Sequence, residues 1–148
     1  MDKGKSTSMD DKNTLRVSAD EDNLNRILAF VDVHLKAVNC PGCIQRQIDI
    51  AVEELFVNIA HYAYASGHGD AEISVTIGND PREAVIELRD RGIPFDPLER
   101  TDPDVTLSAE KRKIGGLGIY MVKQSMDHVF YRRENGENIL TIRRLLHL

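Results

Sequence analysis

The sequence predicts an α+β fold, a two-layer α/β sandwich in which helices cover one face of a mixed, mainly antiparallel sheet. Three observations predict it. Two long stretches carry apolar side chains at the helical period of 3.6 residues. Two pairs of alternating apolar and polar segments flank short turn sequences, the pattern of β-hairpins. The resulting order, β-α-α-β-β-loop-α-β-β, suits one sheet with its helices on one side. A chain of 148 residues has the size of one domain and buries a core without metal or disulfide staples.

Residues 1–13 are polar and of mixed charge, and are expected to form a disordered tail; 14–148 are expected to form a single folded domain. Thr14 to Ser18 alternates as a short strand. Asp20 has the side chain of a helix N-cap, ahead of an apolar series at Leu24, Ile27, Leu28, Val31 and Leu35. Cys40-Pro41-Gly42-Cys43 follows. A redox pair or half of a zinc site is one reading of this spacing. Punctuation between two helices is the better one, because no second ligand pair is evident and no strand precedes the motif.

The second helix is expected from about Ile44 to Tyr64, with Ile44, Ile48, Ala51, Val52, Leu55, Ile59 and Tyr62 on its apolar face. Ser66 to Gly69 ends it. Ala71 to Ile77 and Ala84 to Arg89 alternate around a turn at Asn79 to Arg82, which predicts a hairpin. Asp90 to Pro97 is irregular. Residues 98–114 lack periodicity and read as a long loop, a frequent form of functional lid. A third helix opens at Gly115, Gly116 and Gly118 and runs to about Met126. Val129 to Arg133 and Ile139 to Leu145, around Asn135-Gly136, make the second hairpin.

Hydrophobic residues at 41% and charged residues at 29% describe a globular chain rather than a disordered one. No apolar run approaches the roughly 20 residues of a membrane helix, and the polar start is no secretory signal, so a cytoplasmic location is the default. The net charge of −5 is unevenly placed. Residues 1–107 carry 11 basic and 20 acidic side chains, whereas residues 108–148 carry 8 and 4. An acidic chain without a basic block is a poor binder of nucleic acid or of membrane surfaces. The basic C-terminal part suits either a solvated surface or a small anion.

Three groups of residues bear chemistry. Glu54, Asn58 and His61 share one helical stripe beside the apolar face, while Glu53 points to solvent. A carboxylate and a carboxamide so stacked suit a base and an oxygen ligand for a hard cation such as Mg²⁺, or an ordinary polar flank. Asp90, at the end of a strand and followed by Gly92, suits either a capped turn or the recognition of a ligand amine such as adenine N6. Gly115, Gly116, Leu117 and Gly118 open a helix whose N–H groups are accessible to phosphates, with Lys111, Arg112 and Lys113 just before it. The Gly-rich patterns of dinucleotide folds and P-loops do not match.

Together these groups resemble the nucleotide site of the GHKL ATPase superfamily of gyrase, Hsp90, histidine kinases and MutL. Glu54-Leu55-Phe56-Val57-Asn58 is similar to its N box, Asp90-Arg91-Gly92-Ile93-Pro94-Phe95 to its first glycine box, and Gly116-Leu117-Gly118 to its second. The form is most similar to the anti-sigma-factor serine/threonine kinase group, over about residues 14–146. The resemblance implies a Bergerat-type fold, the histidine-kinase-like ATPase sandwich, with ATP and Mg²⁺ as cofactors. It implies that Asp90 bonds the adenine amine above Gly92, that Asn58 ligates Mg²⁺, and that Lys113, Gly115, Gly116, Leu117 and Gly118 surround the phosphates.

On the same grounds Glu54 becomes the general base for a protein hydroxyl, and Thr141 the counterpart of a threonine near the adenine. Tyr62 stands where many members have His, so His61 receives no role. The implied activity is ATP-dependent serine/threonine phosphorylation of a small STAS-domain anti-anti-sigma protein, together with binding of a sigma factor or similar regulator. An ATP-binding partner-switching module without kinase activity is the alternative. Homodimers are frequent in the group.

Overall fold

The computed structural model describes residues 12–65, 67–99 and 116–147. Five strands form one sheet: β1 (Thr14–Ser18), β2 (Asp70–Asn79), β3 (Arg82–Asp90), β4 (His128–Glu134) and β5 (Glu137–Leu145). Their spatial order is β1-β2-β3-β5-β4. Every described pairing is antiparallel, which sharpens the expectation of a mixed, mainly antiparallel sheet. Three helices, α1 (Leu24–Ala37), α2 (Gly42–Tyr62) and α3 (Gly116–Ser125), complete the fold.

The strands run slightly beyond their sequence-based limits because ladder hydrogen bonds continue through polar residues as well as apolar ones. The β2–β3 pairing extends from Ala71 opposite Asp90 to Asn79 opposite Arg82. Alternation then decides the layers. Ala71, Ile73 and Val75 of β2, Ala84, Ile86 and Leu88 of β3, and Leu140 and Ile142 of β5 are buried in the core. They meet Ile27, Val31 and Leu35 of α1, and Ile44, Ile48, Val52, Leu55 and Ile59 of α2. Burial of such side chains stabilises by about 1.5–3 kcal/mol each before entropy is counted.

The other face of the sheet is laced with ion pairs, among them Arg143 to Glu83 at 2.8 Å and Arg89 to Glu87 at 3.0 Å.

Local chemistry accounts for the helix ends. Asp20 Oδ1 accepts the Asp22 N–H at 2.8 Å and caps a single 3-10 turn, Glu21–Asn23, that leads into α1. At the far end, Asn39 takes φ 57°. The Asn39 N–H donates to Lys36 O at 3.0 Å and the Cys40 N–H to Leu35 O at 3.0 Å, the two bonds of a Schellman stop. Pro41, extended at ψ 142°, then starts α2. Cys40-Pro41-Gly42-Cys43 is therefore helix punctuation, and both cysteines are free thiols.

Where α1 packs on α2, Asp32 and Asp49 each bury one Oδ1 that has no hydrogen-bond donor. Burial and the neighbouring Asp32 carboxyl push Asp49 up to about 7.

Candidate functional site

The stripe on α2 and the irregular segment after β3 meet at the end of the sheet. Asp90 closes β3 on the helix-facing side and is 5% exposed. Its Oδ1 accepts the Gly92 N–H at 2.9 Å and Asn138 Nδ2 at 2.8 Å. Burial holds the carboxyl above the ordinary aspartate range, and these two donors and the nearby Arg133 guanidinium offset that only in part. A desolvated carboxylate fixed through one oxygen is built to take a further donor.

Gly92 is required by a close approach. A Cβ there would strike the backbone carbonyl of Ala63, just past the end of α2, and that carbonyl also accepts the Ile93 N–H at 2.8 Å. Tyr64 secures the same corner, its hydroxyl accepting the Arg91 N–H at 2.8 Å and donating to Asp70 O at 2.5 Å.

A narrow recess of about 10 Å³ lies between these elements, with Asn58, Ala63, Asp90, Phe95, Pro97 and Asn138 on its walls. The Phe95 ring faces Tyr62, centroids 5.8 Å apart. Larger cavities of about 240 and 250 Å³ are walled by Glu72 and Arg89 of the sheet's ion-paired face, and the first of them also reaches Asp90 and Tyr64. The recess sets apolar walls beside convergent polar groups, the usual makeup of a small-molecule site.

Glu54 stands one helical turn before Asn58. Burial, and secondarily the charge of Glu53, push its carboxyl above the ordinary glutamate range. Glu53 itself is exposed. The α3 helix comes directly against this carboxylate: a Cβ on Gly118 would collide with Glu54 Oε1 and lie 2.5 Å from its carboxyl carbon. The N-box-like and second-glycine-box-like residues thus share one contact. The α3 helix begins at Gly116 and includes Leu117. Lys113 and Gly115, with Lys111 and Arg112, lie outside the described residues.

His61 pairs with Glu21 at 2.8 Å on the surface.

One expected residue is misplaced. Thr141 pairs with Glu87 and Phe130 across the sheet. By alternation it points to the ion-paired face, opposite to Asp90, Asn138 and Leu140. It is 7% exposed but does not line the recess. The residue that does face Asp90 across the β3–β5 ladder is Asn138, which sequence reasoning missed. An asparagine opening an otherwise apolar strand was the available signal, since Asn is depleted in strands.

An antiparallel sheet covered on one face by helices, with a buried aspartate at a strand end and a carboxylate–glycine contact beside it, defines the class of histidine-kinase-like ATPase sandwiches. The chain belongs to the histidine kinase-like ATPase domain family, whose model matches residues 17–144.

Among curated relatives, it is 28% identical over 95 residues to the serine/threonine-protein kinase BtrW of Bordetella bronchiseptica, covering 64% of this chain and 66% of that one. It is 30% identical over 97 residues to the serine-protein kinase RsbW of Listeria monocytogenes, covering 63% and 61%. The matched regions thus span somewhat under two thirds of these relatives.

Among solved structures, the RsbU and RsbW domains of Rv1364c from Mycobacterium tuberculosis superpose with a TM-score of 0.61 at 14% identity, over 90% of this chain and 32% of that one. The blue-light activated histidine kinase of Erythrobacter litoralis gives 0.54 at 19%, over 73% and 32%. At these identities the likeness is one of fold. Among the described residues, no helix is long and apolar enough to cross a membrane.

Proposed function

We propose that the protein is an ATP-dependent serine/threonine kinase of the anti-sigma type, acting on a small STAS-domain anti-anti-sigma protein and binding a sigma factor or similar regulator. The single observation that supports the reading is the close approach of Gly118 to Glu54, one helical turn from Asn58 on the wall of the Asp90 recess. The kinase names of the relatives support the same class.

In this reading Asp90 accepts the adenine amine, and Gly92 leaves the base room to lie against the backbone. Asn58 suits Mg²⁺ by the chemistry of its carboxamide oxygen, a hard donor on the recess wall. Bound Mg²⁺ would neutralise phosphate charge. The N–H groups opening α3, from Gly116, Leu117 and Gly118, face the phosphates, and the family resemblance adds Lys113 and Gly115 to the phosphate contacts. Glu54 takes the proton of the acceptor hydroxyl as its oxygen bonds to the γ-phosphorus and ADP departs. The folded unit in this reading is 14–148.

The test is transfer of labelled phosphate from Mg-ATP to a STAS-domain protein. Glu54→Gln is expected to bind ATP normally and to lose transfer. Wild-type turnover by Glu54→Gln would remove Glu54 from the mechanism.

A further inference from the structure

Two carboxyl groups outside the recess face each other where α1 packs on α2. Asp32 follows the core residue Val31 on α1, and Asp49 follows the core residue Ile48 on α2. Both side chains are half-buried. They stand within hydrogen-bonding reach of one another, yet Oδ1 of each is buried and no described donor reaches it. Two ionised carboxylates can only accept. Their contact therefore leaves both oxygens orphaned and sets like charges side by side. Buried polar atoms without partners are rare and call for a physical reason.

The charges around the pair do not resolve the conflict. Lys36, one turn along α1 from Asp32, draws Asp49 toward its ionised form, but less strongly than burial and Asp32 oppose it. On α2, Arg46 and Glu53 flank Asp49, and both are exposed; the Arg46 guanidinium lies over Gly42. In the connection between the helices, the Cys40 thiol feels the charges of Asp49, Arg82 and Arg144. Arg144 is engaged by Gln47 Oε1 at 2.9 and 3.1 Å. His34 of α1 meets Phe30 O at 2.9 Å and Lys12 O at 2.7 Å. Beneath the helices, Ala71, Ile73 and Val75 of β2 are apolar.

We propose that Asp32 and Asp49 form a proton-operated clasp between α1 and α2: one proton held between the two carboxyls joins the helices, and its loss sets two carboxylates against each other and loosens α1. With the proton in place, one carboxyl donates to the other and both orphaned oxygens gain a partner. Burial first and Asp32 second raise Asp49 from an ordinary 3.8 to about 7, and two carboxyls so close titrate as a pair. The folded chain holds this proton more tightly than the unfolded chain does. The stability it contributes is complete below the ordinary aspartate value and is lost as pH rises to about 7. Neither carboxyl lines the recess, so the inference stands apart from the nucleotide reading.

The test is a series of thermal melts of the full chain between about pH 4 and about pH 9, on wild type, Asp49→Asn and Asp32→Asn. In either variant the new amide donates to the remaining carboxylate at every pH. Histidines and thiols are common to the three proteins, so the difference in midpoint isolates the pair. That difference is expected to grow in favour of the variants up to about pH 7 and to stay level above it, with each variant then melting a few degrees higher than wild type. Hydrogen exchange, corrected for its intrinsic pH dependence, is expected to show α1 amides losing protection above that pH in wild type and keeping it in Asp49→Asn.

Carboxyl NMR resonances of the unsubstituted protein give a readout that survives a poorly folding variant. One signal of the Asp32–Asp49 pair is expected to titrate near pH 7. A midpoint difference that does not change with pH, or two resonances that both titrate in the ordinary aspartate range, would overturn the clasp.

Discussion

Glu54 is a carboxylate whose surroundings disfavour its charge. Its raised pKa comes first from burial and second from Glu53. A general base must be ionised, so the rate of transfer should fall as pH drops through this raised value, at a higher pH than an ordinary glutamate would give. Glu53→Gln removes the second cause. The acid limb of the pH–rate profile is therefore expected to move to lower pH in that variant, and an unmoved limb would mean that another group sets it.

The residue scale is also where the sequence was least complete. Glu54, Asn58, Asp90, Gly92 and Gly118 were legible because each sits in a pattern with local meaning: a helical stripe, a strand end, a glycine at a helix start. Thr141 and Asn138 were exchanged in importance because facing depends on register. One step along a strand turns a side chain to the other face, and composition alone does not count that step. The β3–β5 pairing of Asp90 with Asn138 does.

At the scale of elements, two glycines perform different tasks, and the difference is testable. A methyl group on Gly118 would meet the mobile end of Glu54, whereas one on Gly92 would meet the backbone of Ala63. A side chain swings away; a backbone carbonyl at the end of a helix does not. Gly118→Ala is thus expected to keep its thermal midpoint and lose transfer, by about a hundredfold if the base is displaced by an ångström. Gly92→Ala is expected to lower stability by about 1–3 kcal/mol, as overpacking does. Thermal melts and single-turnover transfer rates on the two variants separate these outcomes, and a Gly118→Ala protein with full activity would show that the contact is incidental.

The elements themselves were readable because periodicity is strong in α1, α2 and both hairpins. Boundaries shifted where backbone hydrogen bonds ran past the apolar pattern, as in β2, or where Pro41 rather than a polar cap opened α2.

Across the whole molecule, the fold separates two functions of polarity. One face of the sheet carries charges in pairs, and here lies much of the uneven charge distribution. Arg143 meets Glu83, Arg132 approaches Glu87 and Glu134, and Arg16 approaches Glu72. Arg143 and Arg132 of the C-terminal part therefore pair with acids from the rest of the chain, and exposed pairs of this kind contribute little stability. The other face carries the helices: Asp90 and Asn138 are buried at one end of the sheet, with the half-buried Glu54 and Asn58 on the helix above. The proposed function depends on that concentration of polarity at one edge of an apolar layer.

Calorimetric titration of Mg-ATP into the full chain and into Asp90→Asn measures it most directly. Saturable binding at one site per chain is expected, weakened by about 1–3 kcal/mol in Asp90→Asn, the scale of a hydrogen bond to a charged group. No binding by the wild-type protein, or equal affinity in the variant, would contradict it.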